Sequence, residues 1–185
     1  MTSDQMVEVW QDVQKVEVTK EMRLFCALVA GYLQQCQYTN RSLVSPDYEL
    51  PCYECSYRME TCAKLQMVPG MRFVKSLIKL AQARAWLRHS NSVSVEDLLY
   101  GLPYSLGHRL KIRSESARLF PAVDQWIKEE LYLNGIRGKI PKWLGFIHTY
   151  VKSPSKMHEL IDEFKRNDLA VMEFYHSIQN KLIKN

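Results

Sequence analysis

Apolar positions recur every three or four residues along most of the chain, and runs with the two-residue alternation of strands are scarce. This recurrence predicts amphipathic helices over 4–15, from Thr19 to about Gln35, and from Pro69 to about His89, with Thr19 as an N-cap. Towards the C-terminus it predicts helices over 120–133, 141–151, 154–166 and 168–183. The pattern therefore indicates an all-α fold.

Two places along this pattern are expected to interrupt helices. Ser94 is predicted to cap a helix that carries Glu96 and Asp97 in its first turn. That helix is expected to break near Pro103, because proline lacks an amide donor and clashes with the preceding turn, and a second short piece would then reach Leu110. Gly135 and Gly138 are expected to separate the helices over 120–133 and 141–151.

A weakly periodic segment from Gln37 to about Gln66 contains most of the cysteines. With the residue just before it, the segment gives the spacing C-x15-C-x2-C-x6-C, formed by Cys36, Cys52, Cys55 and Cys62. Four thiolates with one C-x2-C pair can converge on a zinc ion or an iron-sulfur cluster, so a metal centre is predicted here. The alternative is a set of reduced thiols packed by nearby tyrosines. Cys26, on an apolar helix face, is interpreted as a core residue.

Composition excludes several classes of protein. The seven glycines form neither a G-x-x-x-x-G-K-[ST] nor a G-x-G-x-x-G motif, so this chain alone has no standard phosphate cradle. The longest apolar stretch, Leu24 to Leu33, is about half the ~20 residues that a membrane-spanning helix needs. Acidic residues and the lack of a long apolar run in the first twenty positions argue against a signal peptide. With five cysteines, a reducing, cytoplasmic location and no membrane association are expected.

The net charge of +5 is unevenly distributed, since residues 108–185 carry all of the excess. A basic surface of this size can bind nucleic acid or an acidic protein. The basic residues are dispersed along the C-terminal part, however, and solvated helix faces explain them equally simply. Nucleic acid is therefore a weakly supported partner.

The stretch Pro69-Gly70-Met71-Arg72, followed by FVKSLIKLAQARAWLRHSNSVSVEDLLYGLPYSLGHRL, resembles the helical lid subdomain of MoxR-type AAA+ ATPases. In that family an arginine opens a Leu/Ala-rich helix, a V-[TS]-x-E-D helix start follows, and the segment closes with H-R. Related lids occur in magnesium chelatase subunits and minichromosome maintenance helicases. The likeness is strongest over 69–110 and looser over 5–35. The Pro-Gly-Met-Arg run departs from the family's Gly-x-Ser-Pro-Arg pattern.

The resemblance implies a lid-type helical bundle over 1–112. The parts of the chain outside the resemblance are predicted to form a cysteine-rich insertion at 36–66 and a helical extension over 113–185. It implies that Arg72 is a sensor-2 arginine that reaches the γ-phosphate of ATP held by a separate nucleotide-binding domain, in cis or in trans. His108 and Arg109 would contact that domain or a neighbouring subunit, or would simply complement the end of their helix. The parent would form a ring and remodel a protein client, while this chain alone would have no ATPase activity.

Two other readings of the sequence stay open. The chain can be a stand-alone helical interaction module that binds protein or nucleic acid, with or without structural zinc or an iron-sulfur cluster. It can also be a small redox protein built around an iron-sulfur cluster.

Overall fold

The computed structural model describes residues 2–34, 64–67, 72–120 and 122–153, and regular structure in these residues is almost entirely helical. The predicted all-α class is thereby confirmed. The helices are α1 Ser3–Lys15, α2 Lys20–Gln34, α3 Arg72–Leu87, α4 Val95–Leu106, α5 Ser114–Leu119, α6 Val123–Trp126 and α7 Ile140–Lys152. A π-helical segment, Ile127–Ile136, and a 3-10 turn, Arg137–Lys139, join α6 to α7. Strands β1, Leu65–Met67, and β2, Lys111–Ile112, pair antiparallel.

The predicted starts of the first two helices are confirmed to within a residue. Thr2 caps α1, since its hydroxyl accepts from the Gln5 amide at 3.3 Å while the Gln5 side chain accepts from the Thr2 amide at 2.9 Å. The Thr19 hydroxyl accepts from the Met22 amide at 3.3 Å at the start of α2. Each cap satisfies an amide that the first helical turn leaves without a partner.

The helices share one buried hydrophobic core. α3 packs along α4, both α1 and α2 contact α3, and α2 packs on its other side against α7. Trp143 of α7 makes edge contacts with Phe25 and Tyr32 of α2, with ring centroids 6.0 and 5.8 Å away. All three rings are buried, so the α2–α7 contact extends the α3–α4 core rather than forming a second one.

The predicted break at Pro103 is wrong, because α4 runs without interruption from Val95 to Leu106. Leu98, Leu102 and Leu106 recur every four residues on one face and are almost completely buried. Burial of this stripe against α3 stabilises the helix on both sides of the proline and outweighs the loss of one backbone hydrogen bond.

The predicted stop at Gly135 and Gly138 is also wrong, since backbone helicity continues from Val123 to Lys152. Ile127, Leu131 and Ile136 are fully buried in the segment with π geometry. Their spacing of four and then five residues suits the wider π turn, which keeps all three on the core side. Tertiary packing therefore overrides the helix-ending tendency of the glycines.

Several predicted elements lie outside the described residues, namely the insertion up to residue 63, the helix start at Pro69 and the helices over 154–166 and 168–183. Across the described ranges, none of the helices is both long and apolar enough to span a bilayer. The short pairing of β1 with β2 was not predicted from the sequence.

Candidate functional site

The candidate site lies where the start of α3 meets the end of α4. β1 precedes α3 in the chain and β2 follows α4, and the two strands pair with Leu65 opposite Ile112 and Met67 opposite Lys111. The Arg113 amide extends this pairing by donating to the Lys64 carbonyl at 3.0 Å. The short sheet therefore brings together two helix ends that are more than thirty residues apart in sequence.

A chain of hydrogen bonds connects the two arginines singled out in the sequence. Arg109 Nη2 donates to Ser76 Oγ at 3.2 Å, and Ser76 Oγ donates to the Arg72 carbonyl at 3.5 Å. Ser76 lies one helical turn after Arg72, so its side chain lies on the same face. Arg109 is thereby held against the first turn of α3. The sequence motif does not indicate that Ser76 connects the two arginines. The only signal in the sequence is the spacing of four residues between Arg72 and Ser76.

Positive charge at this end is not neutralised by the described residues. The first two turns of α3 carry the basic residues Arg72 and Lys75 and no acidic residue. No carboxylate in the described ranges forms an ion pair with Arg72 or Arg109, whereas Lys64 nearby is paired with Glu130. The start of a helix also carries the positive end of the helix dipole. Together these features favour the binding of an anion at the start of α3.

The two arginines differ in how firmly they are held. Arg72 is the first residue of α3 and is exposed to solvent. Arg109 is partly buried, and its Nε is enclosed with no hydrogen-bond partner among the described residues. The Arg109 side chain reaches across to Ser76 of α3. The hydrogen bond that the structure describes for this side chain therefore goes to α3, and not to the last carbonyls of α4. His108 is exposed beside it.

The predicted metal ligands Cys36, Cys52, Cys55 and Cys62 lie outside the described residues, so the metal centre stays a prediction. Among the residues that are described, no group of three or more His, Cys, Asp or Glu side chains is arranged to hold a metal ion. Cys26 lies in the core as predicted, and burial raises the pKa of its thiol to about 12. A thiol that stays protonated is a poor nucleophile and a poor ligand.

Residues 56–128 match the family model of the AAA lid domain. The matched residues include α3, α4 and the strand pair, and therefore both arginines of the candidate site. The match supports an AAA+ lid region in this part of the chain. Such lids work within AAA+ proteins, which implies contact with a nucleotide-binding domain. Neither the curated proteins nor the solved structures gave a match to this chain.

Proposed function

We propose that this chain supplies the lid of a MoxR-type AAA+ ATPase and that Arg72 is its sensor-2 arginine. The observation that carries the proposal is the position of Arg72 at the exposed start of α3, linked through Ser76 to a second arginine and without an ion pair among the described residues. A guanidinium in this position can donate a fork of hydrogen bonds to phosphate oxygens.

The nucleotide itself would be held by a separate domain, in the same protein or in another. The chain has no Walker-type phosphate loop, so its arginines would meet ATP only when that domain presents the γ-phosphate. Hydrolysis would remove the anion from the arginines and release the lid, which couples the angle of the lid to nucleotide state. The force would be applied to a protein client by a ring of such subunits.

The test is ATP turnover by the native assembly that contains this chain. Arg72→Ala should lower kcat by about tenfold or more, because an arginine on the transferring phosphate stabilises charge that develops in the transition state. Lys142→Ala, an exposed change on α7, is the matched control and should leave turnover unchanged. An assembly that contains no Walker-type domain, or equal turnover for Arg72→Ala and the control, would contradict the proposal.

A second measurement separates the lid role from direct nucleotide binding. Titration of the isolated chain with ATP should show no tight binding, because the arginines alone provide no cradle for the phosphates. Tight binding by the isolated chain would argue against a lid and for a nucleotide site of its own.

A further inference from the structure

We propose that the surface shared by α1 and α3 is a self-association surface that pairs with the same surface of a second copy of this chain. The surface combines exposed apolar residues, an acidic row on α1 and a basic row on α3. The pairing itself rests on Lys75 and Lys79 and not on the AAA+ assignment, although the basic row ends next to Arg72.

The apolar part lies on α1. Met6 and Val7 are each 55% exposed and Trp10 is 44% exposed. These residues are exposed although α1 has the helical periodicity of an amphipathic helix. Only Val13, near its C-terminal end, is buried within α1. The N-terminal half of α1 therefore presents large apolar side chains to solvent, and such a cluster is a common feature of protein interfaces.

The charged rows lie on either side of this apolar part. Asp4 and Glu8 are one helical turn apart on α1, are exposed, and form no ion pair within the described ranges. On α3, Lys75 and Lys79 are also one turn apart and exposed, with Arg72 continuing the row by a further turn. The Lys79 ammonium lies over the Trp10 ring, 5.2 Å from its centroid, so the basic row directly adjoins the apolar residues.

The order of these features across the surface identifies a second copy as the occupant. Around α1, helical periodicity places Val7 and Trp10 between the row of Asp4 and Glu8 and the side that meets Lys79 of α3, so the surface is acidic, then apolar, then basic. A two-fold rotation through the apolar centre reverses this order, so each acidic row faces the basic row of the other copy and the apolar residues meet between them. A nucleic acid fits less well, because the acidic row would repel its phosphates.

The first experiment measures the mass of the full chain in solution at low salt, by light scattering or sedimentation. We expect a dimer, at twice 21.7 kDa, that dissociates progressively as the salt concentration rises. A monomer at about 0.1 mM chain would overturn the proposal. Species larger than a dimer would overturn the two-fold arrangement, since a two-fold contact is complete at two copies, whereas a head-to-tail contact builds larger rings or filaments.

Charge reversal tests the pairing itself. Lys75→Glu with Lys79→Glu, or Asp4→Lys with Glu8→Lys, should each weaken the dimer by about tenfold or more, because like charges would then face each other. An equimolar mixture of the two variants should regain a heterodimer close to wild-type affinity, since every contact is again between opposite charges. Failure of the mixture to associate would overturn the proposal.

Two controls exclude simpler explanations. Lys142→Glu with Lys152→Glu changes the net charge as much as the α3 variant does, on exposed positions of α7, and should leave the dimer intact. Met6→Ser with Val7→Ser should weaken the dimer without unfolding the monomer, as judged by circular dichroism. If instead a single-stranded DNA probe binds a monomeric chain and the α3 variant abolishes that binding, the occupant is a polyanion and the proposal is wrong.

Discussion

Arg88 and Asp97 form a two-point ion pair between the end of α3 and the first turn of α4. Arg88 Nε donates to one carboxylate oxygen at 3.0 Å, and Nη2 donates to the other at 2.6 Å. Asp97 is completely buried and also accepts from the Ser94 amide at 3.0 Å. One carboxylate therefore caps α4 and fixes its crossing with α3, which is the helix pair that carries the candidate site.

Asp97→Ala should lower the free energy of unfolding by about 2–3 kcal/mol, because it removes a helix cap and hydrogen bonds to a charged group together. Glu96→Ala is the matched control, since Glu96 is the exposed acidic neighbour in the same turn. Denaturant titration of both variants measures the difference. Equal losses would mean that the effect comes from first-turn charge alone.

The same pair predicts how stability depends on pH. Burial opposes ionisation of Asp97, but hydrogen bonds from Arg88 and Ser94 outweigh it and lower the pKa of the carboxyl. A lowered pKa in the folded state adds stability that is present above the unfolded-state value of about 3.9 and is lost as the pH falls through the folded-state value. Wild type should therefore lose more stability below about pH 4 than Asp97→Asn does. Parallel curves from denaturant titrations at successive pH values would contradict this.

Much of the α3–α4 region could be predicted from the sequence. The contacts that could not be predicted have physical causes. Ser94 is predictable as a cap because capping depends on residue type at a fixed spacing. The burial of Asp97 and its pairing with Arg88 depend on how α3 crosses α4, which local pattern does not encode. Likewise, the sequence motif singles out Arg72, whereas the link of Arg72 to Arg109 depends on the pairing of β1 with β2.

Pro103 shows the reverse problem, where a strong local rule gave the wrong result. The rule describes the cost of proline in an isolated helix, while α4 is stabilised by a buried leucine stripe on both sides of that residue. The π-helical segment is similar, because the core contacts of Ile127 and Leu131 decide the backbone geometry. Local propensity fails where burial over several turns opposes it.

A glycine substitution at His89 should stabilise the folded chain. It follows α3 with a φ of 55°, in the left-handed region that favours glycine. His89→Gly should raise the free energy of unfolding by about 0.5–1 kcal/mol, since glycine adopts this conformation without steric cost. His148→Gly, at an exposed position inside α7, should instead lower stability by a similar amount. Thermal unfolding distinguishes the two, and the same sign for both would contradict the prediction.

Gly101 allows the close approach of α4 to α3. A Cβ built at this position would lie 3.0 Å from Leu77 Cδ1 and 3.5 Å from Leu80 Cβ. Gly101→Leu should therefore lower the free energy of unfolding by about 2 kcal/mol, because a larger side chain must push the two helices apart. Gly145→Leu in α7 is the control, since nothing lies within 4 Å of a Cβ there. Similar denaturation midpoints for the two variants would contradict the close approach.

The cysteine spacing makes a prediction that chemical analysis can check directly. If Cys36, Cys52, Cys55 and Cys62 hold a metal, the chain purified without oxygen should contain zinc or iron in stoichiometric amount. Visible absorption would indicate an iron-sulfur cluster, and a colourless zinc-containing chain would indicate a structural site. Cys52→Ser with Cys55→Ser should lose the metal, whereas Cys26→Ser should keep it, because Cys26 lies in the core with a protonated thiol. A metal-free wild-type chain would show that these cysteines are ordinary reduced thiols.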